Sequence, residues 1–277
     1  MDYMKSRTDM MTQDTLNIAL VEFSPVWESP AENLGTLDRV FTQIAGGALP
    51  LKPDLVVLPE FFAVGFTMNP DVAEPSDSSA TLSWMENTAS RFGCAVAGSV
   101  PVKSGRERYN RMFFVTPPVS GGKADADFYD KSYLFFGGED ANYSRGTLRG
   151  KVFSFRGWRI LPGICFDMRF PELARNSGAE PYDLYLNVAN WPVARNAAAD
   201  ILLKARSIEN VCWSVFCNRT GADPLLEYSG NSAIIDYRGR SRGKRYTVEG
   251  MPVVCGTLEK APMLRFRSGF PILDLVR

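Results

Sequence analysis

Three side chains able to do chemistry stand at the ends of apolar runs: Glu60 in "LVVLPEFFAVGF", Lys131 in "FYDKSYLF" and Cys165 in "LPGICFDMRFPE". Strand ends are where loops leave a rigid scaffold and where active sites gather. Each residue alone has an ordinary reading: a Glu after a strand caps or pairs, a loop Lys is solvated, and a Cys in an apolar run is inert core. Together they suggest one chemistry, because a cysteine nucleophile needs a base and a donor for the anion that forms. The chain has no histidine, so the thiol proton must go elsewhere, and a carboxylate is the candidate. In water that transfer is uphill, since free Cys titrates near ~8.5 and free Glu near ~4.3. Burial raises a carboxylate, and an ammonium at ~4 Å favours thiolate by about 4 kcal/mol at an effective dielectric of ~20. A Glu, Lys and Cys brought together could therefore run nucleophilic chemistry without imidazole.

The elements that would position them alternate along the chain. "LNIALVEF" (16–23) and "DLVVLPEF" (54–61) read as buried strands. Between them a helix starts at Ser29-Pro30-Ala31-Glu32, with Ser29 as cap, and runs through Leu34, Leu37, Phe41 and Ile44. A second helix carries Leu82, Met85, Ala89 and Phe92 and stops at Gly93. "CAVAGSV" (94–100), "RMFFVTP" (111–117), "KVFSF" (151–155) and "RILPGICF" (159–166) add strands, and Pro171 opens a short helix. "DLYLNVAN" (183–190) is strand, and Ile201, Ala205, Ile208 and Cys212 mark the inward stripe of a helix. "WSVFCNRT", "SAIIDY" and "PVVCGTL" close the core. Many strands with helices between and no break predict an α/β layered sandwich. Residues 1–14 are expected to be a frayed leader and 15–260 the domain; the apolar tail 261–277 either packs on that domain or crosses to a partner subunit, the second being preferred.

Composition narrows the function classes. Lys plus Arg and Asp plus Glu number 31 each, so net charge gives no reason to expect nucleic acid. The basic stretch 237–246 reads as a hairpin with a solvated tip. The five cysteines are odd in number and lack a CxxC pair, which points to reduced thiols, a cytoplasmic protein and no zinc site. Cys94, Cys212, Cys217 and Cys255 are read as structural. No run of about 18 apolar residues suggests a membrane span. Glycine turns such as "GGED" lack the strand–GxGxxG–helix arrangement of a dinucleotide site.

The contexts of Glu60, Lys131 and Cys165 resemble those of the nitrilase superfamily of carbon–nitrogen hydrolases, over roughly 16–258 of the chain. "PVWESPAENL", "YNRMFFVTP", "NVANWP", "KARSIEN", "NRTGAD" and "YSGNSAIID" add to the likeness, which is greatest to the omega-amidase-like branch. The resemblance implies a four-layer α-β-β-α sandwich, dimeric through one helical face, using neither metal nor organic cofactor. It also implies Cys165 as nucleophile, Glu60 as general base, and Lys131 with the backbone N–H of Phe166 as oxyanion donors. One such donor is worth about 3 to 4 kcal/mol in the transition state. Glu139 in "FFGGEDANYSRG" matches a second glutamate beside the site, expected to orient the substrate amide and Lys131. Phe166 stands where relatives commonly carry Tyr, and "NAAAD" (196–200) replaces a segment in which relatives often have Trp.

An omega-amidase cuts the terminal amide of a short dicarboxylate monoamide such as 2-oxoglutaramate, so a cation must receive the distal carboxylate. Arg169 and Arg195 are the candidates, since guanidinium binds carboxylate bidentately; the alternative for Arg169 is a pair with Asp167 or Glu172. Trp191, Tyr133 and Phe135 are expected to wall the pocket, with Phe61 assigned to core packing. Other readings are an amidase for deaminated glutathione, an N-carbamoyl compound or an aliphatic amide, and a noncatalytic binding protein on the same fold.

Overall fold

The computed structural model describes residues 14–119, 122–147, 151–177 and 179–276. The expected leader lies outside the described residues except for Asp14, whose carbonyl accepts the Lys260 N–H at 2.7 Å. In chain order the elements are β1 (Thr15–Val21), α1 (Pro30–Ala45), β2 (Leu55–Val57), β3 (Glu74–Pro75), α2 (Ala80–Phe92), β4 (Ala95–Ser104), β5 (Glu107–Thr116) and β6 (Asp125–Asp130). There follow α3 (Glu139–Asn142), β7 (Phe153–Phe155), β8 (Trp158–Ile164), α4 (Pro171–Ala174), β9 (Leu184–Ala189), α5 (Asn196–Asn210) and β10 (Trp213–Asn218). The chain ends with β11 (Thr220–Ala222), β12 (Glu227–Ser229), β13 (Ala233–Ile235), β14 (Lys244–Val248), β15 (Met251–Glu259) and α6 (Lys260–Gly269).

Two sheets stack face to face. The larger has the order β14-β15-β1-β2-β4-β5-β6 with β3 beside β4, and the smaller has the order β13-β10-β9-β8-β7. Strand alternation explains the layering, because successive side chains point to opposite faces. In β1, Leu16, Ile18 and Leu20 enter the core between the sheets, while Ala19 and Val21 face the helices α1 and α2. The smaller sheet does the same: Leu184, Leu186 and Val188 of β9 point to the central core, and Tyr185 and Ala189 point toward α5. The result is the expected α-β-β-α sandwich. Truncating a central residue such as Trp158, which is fully buried, is expected to cost about 3 to 5 kcal/mol.

Local departures have physical reasons. The Ser29 hydroxyl donates to the Trp27 carbonyl and makes no cap bond; Pro30 alone sets the first turn of α1. Gly93 does end α2, at φ 65°. On α5 the expected stripe fails at Ile201 and Ile208, which are 69% and 53% exposed, and holds at Cys212, buried just past the helix; the buried face of α5 is Ala199, Leu203, Arg206, Ser207 and Asn210. Arg206 can be buried there because its Nη2 donates to the Met168 carbonyl at 2.7 Å. The tail folds back onto its own domain through buried Met263 and Leu273. It is pinned by Asp183, whose carboxylate meets Lys260 Nζ at 2.7 Å and Arg267 Nη1 at 3.2 Å. Among the described residues no helix is long and apolar enough to cross a membrane.

Candidate active site

Both sheets end at one place, and the sequence candidates meet there. Glu60 follows β2 and Lys131 follows β6, both on the larger sheet; Cys165 follows β8 and Asn190 follows β9 on the smaller one. Glu139 opens α3 with its side chain buried, while its neighbour Asp140 is exposed.

Glu60, Glu139 and Lys131 are essentially sealed from solvent, at 0%, 0% and 1% exposure. Lys131 Nζ lies 2.8 Å from Glu60 Oε1 and 2.8 Å from Glu139 Oε2. Asn110 Nδ2 divides its two hydrogens between Glu60 Oε1 at 2.7 Å and Glu139 Oε1 at 2.8 Å. The second Glu60 oxygen accepts the Asn190 backbone N–H at 2.8 Å, and Glu139 Oε2 accepts that of Phe135 at 2.8 Å. Burial alone would lower the lysine, but the charges of Glu139 and Glu60 outweigh it and hold Lys131 firmly as an ammonium. Burial raises the Glu139 carboxyl, against the opposing pull of Lys131.

Cys165 opens a tight turn, Cys165–Arg169, in the left-handed region at φ 45°. A non-glycine residue there stores about 1 to 3 kcal/mol of strain, which the surroundings must hold in place. Its thiol is pushed well above the ordinary value, first by burial and then by the charge of Glu60, with Lys131 opposing. The resting sulfur is therefore protonated, and Sγ sits 3.8 Å from the Asn190 carbonyl as donor. Phe166 occupies the second position of the turn, where a backbone N–H has no partner within the helix.

Cys165 and Lys131 open onto one cleft. Of the expected wall residues, Phe135, Trp191, Arg169 and Arg195 line it, as does Phe166. Tyr133 does not: its ring stacks on Phe170 at 3.6 Å and its hydroxyl donates to Glu172. Arg169 lies over the Trp191 ring at 5.0 Å rather than pairing with Asp167, and Arg195 lies over Phe135 at 5.0 Å. Phe61 is wholly buried core, as expected. The rim is completed by Phe66 and by Leu226 and Tyr228 of the β11–β12 hairpin. Among the described residues no group of three or more acidic or thiol side chains is arranged to hold a metal ion.

The arrangement sets a thiol and an ammonium on one cleft, with two buried carboxylates paired to the ammonium. The carbon-nitrogen hydrolase family model matches residues 17–245. The chain belongs to the carbon-nitrogen hydrolase family. It is 38% identical to the omega-amidase YafV of Yersinia enterocolitica across 81% of this chain and 83% of that one. With the 2-oxoglutaramate amidase of Bacillus subtilis it shares 29% identity over 94% of this chain and 97% of the other. In structure it resembles a carbon-nitrogen hydrolase superfamily protein of Xanthomonas campestris, crystallised with an arsenic adduct in its active site. That match has a TM-score of 0.84 and 37% identity and covers 96% of this chain and 98% of that chain.

Several members of this hydrolase's site escaped the reading of the sequence. Asn110 and Asn190 lie inside "YNRMFFVTP" and "NVANWP", segments that marked the family without revealing which atom each amide meets. Asn190 ties Glu60 from both ends, its Nδ2 donating to the Glu60 carbonyl at 2.7 Å. Asn218 in turn fixes Trp191, accepting its N–H at 2.7 Å and donating to its carbonyl at 2.9 Å.

Proposed function

We propose that this carbon-nitrogen hydrolase is an omega-amidase, hydrolysing the terminal amide of a small carboxylate-bearing substrate such as 2-oxoglutaramate to the acid and ammonia. The observation that carries the mechanism is that Lys131, held between Glu60 and Glu139, and Cys165 line one cleft. Cys165 Sγ attacks the amide carbon while Glu60 takes the thiol proton. The oxyanion is held by Lys131 Nζ and the Phe166 N–H. Collapse returns that proton to nitrogen, expels ammonia and leaves a thioester on Cys165. Water then enters, Glu60 removes its proton, and a second tetrahedral collapse frees the acid and restores the thiol. Glu139 keeps Lys131 aimed and orients the substrate amide.

Arg169 and Arg195 are the groups for the distal carboxylate, each guanidinium resting on an aromatic face within the cleft. The names of the YafV and Bacillus subtilis relatives support the same substrate class. Ammonia release from 2-oxoglutaramate and succinamate tests the reading, and Cys165→Ala should abolish it. Undiminished turnover in that variant would overturn the mechanism, and faster turnover of deaminated glutathione, an N-carbamoyl compound or an aliphatic amide would overturn the substrate class. Arg169→Met and Arg195→Met should separate by KM, the carboxylate-binding one rising at least about 10-fold.

The protein is further proposed to pair with a second copy through its helical layer, where α5 exposes Ile201 and Ile208 and the α6 region exposes Leu264 and Phe270. Sedimentation of Ile208→Asp as monomer, against wild-type dimer, is the expected result. Five free cysteines support residence in a reducing compartment such as the cytoplasm.

A further inference from the structure

Asp167, two residues beyond the thiol, is 2% exposed and does not reach the cleft lining. Its carboxylate accepts three hydrogen bonds. Oδ2 takes the Ile164 N–H at 3.0 Å and the Tyr129 hydroxyl at 2.9 Å, and Oδ1 takes the Tyr133 N–H at 2.8 Å. Ile164 immediately precedes Cys165, on the smaller sheet. Tyr129 and Tyr133 stand two residues either side of Lys131, the first of them in β6 of the larger sheet. One carboxylate thus ties the turn that carries the thiol to both flanks of the segment that carries the ammonium.

The side-chain type fits the task. Every partner is a donor, so an acceptor-only group is required; an amide of the same shape would set an N–H against one of them. Burial pushes the Asp167 carboxyl up to about 6, with Lys131 and the three donors opposing, so it is ionised at neutral pH. The clasp also answers how Cys165 keeps its left-handed backbone: Asp167 grips the residue before it, and Arg206 grips the far side of the turn at the Met168 carbonyl.

We propose that Asp167 is a positioning residue that holds the Cys165 turn and the Lys131 segment in register across the two sheets, so that Sγ meets the substrate's carbonyl carbon while the Phe166 N–H and Nζ meet its oxygen. The proposal rests on the amidase reading for what reacts, and on geometry for the clasp. Alkylation of Cys165 by iodoacetamide at neutral pH, followed by mass of the labelled peptide, tests the clasp whatever the natural substrate is. Asp167→Asn should slow it by about 10-fold or more as Sγ swings away from Lys131, the scale on which small misplacements act. A role limited to the carboxylate's own charge has the opposite sign, since removing an anion eases thiolate formation; unchanged or faster labelling of the folded variant overturns the proposal. Tyr129→Phe, which keeps the carboxylate and removes its tie to β6 together with the hydroxyl's contacts to Ser132, should slow labelling by about 3-fold and carries the test should Asp167→Asn fail to fold. With an amide substrate, kcat should fall by about 100-fold in Asp167→Asn while KM stays within about 3-fold. A loss confined to KM also overturns it. Wild-type protein that labels as expected but releases no ammonia would sink the amidase reading and leave the clasp standing.

Discussion

Two buried ionic clusters in this molecule have opposite charge arithmetic. At the cleft, one ammonium, Lys131, faces two carboxylates, Glu60 and Glu139. At the base of α6, one carboxylate, Asp183, faces two cations, Lys260 and Arg267, and also takes the Arg159 N–H at 3.0 Å. The second arrangement is a staple: surplus positive charge can lean toward solvent along flexible stems, and no group is left needing a proton. The first is sealed and carries an excess of negative charge, which adds to burial in raising the neighbouring thiol. Buried ion pairs of similar geometry therefore do different work according to which sign is in excess.

The sharpest way to break this comparison is Lys131→Met. It leaves two carboxylates facing each other without a counter-ion, so stability should fall by about 3 to 5 kcal/mol, read as a lower denaturation midpoint. Turnover should fall by at least about 100-fold, since the proposed oxyanion donor goes as well. Glu60→Gln comes next, with ammonia release expected to drop by about 100- to 10,000-fold if Glu60 is the general base proposed above. The same substitution sharpens the sign argument. In wild-type protein, alkylation of Cys165 should keep climbing past the pH where an ordinary thiol levels off, because burial and Glu60 raise it. In Glu60→Gln that climb should move to lower pH; a shift the other way would contradict the electrostatic account. The smallest effect belongs to the staple: Lys260→Met should cost about 1 to 3 kcal/mol, with Arg267 still in place, and leave ammonia release unchanged.

Stability should also respond to pH through Asp167. Its folded pKa of about 6 lies above the 3.8 of a free aspartate, so the folded state binds this proton more tightly than the unfolded chain does. The carboxyl contributes stability below the unfolded value and loses it as pH rises toward about 6, a change of about 3 kcal/mol. Unfolding midpoints measured between about pH 4 and about pH 6 should show this slope, and Asp167→Asn should flatten it.

The sequence told where the chemistry stands because Glu60, Lys131 and Cys165 each interrupt an apolar strand end, and Glu139 follows at a family spacing. It could not tell what aims them. Asn110, Asn190 and Asp167 work by joining strands far apart in the chain, Asn190 meeting Glu60 across 130 positions, and nothing local marks an amide or carboxylate as the one that bridges. Helix α5 misled for a related reason. Its buried face includes Arg206 and Asn210, made tolerable inside by bonds to the Met168 carbonyl and the Asn176 N–H, while two isoleucines face outward. A hydrophobic periodicity assumes that polar means exposed, and here hydrogen bonding reverses that. The Ser29 hydroxyl, which turns to Trp27 instead of capping α1, shows the same competition on a small scale.

The β11–β12 hairpin has a bearing on how this catalyst could diversify. It places Leu226 and Tyr228 at the mouth of the cleft while its tip, at Leu225, is 89% exposed, and it pairs with neither main sheet. Part of the cleft's rim thus stands outside the two sheets whose ends carry Glu60, Lys131 and Cys165. Swapping or resizing that loop offers a route to new diets for an unchanged reaction engine.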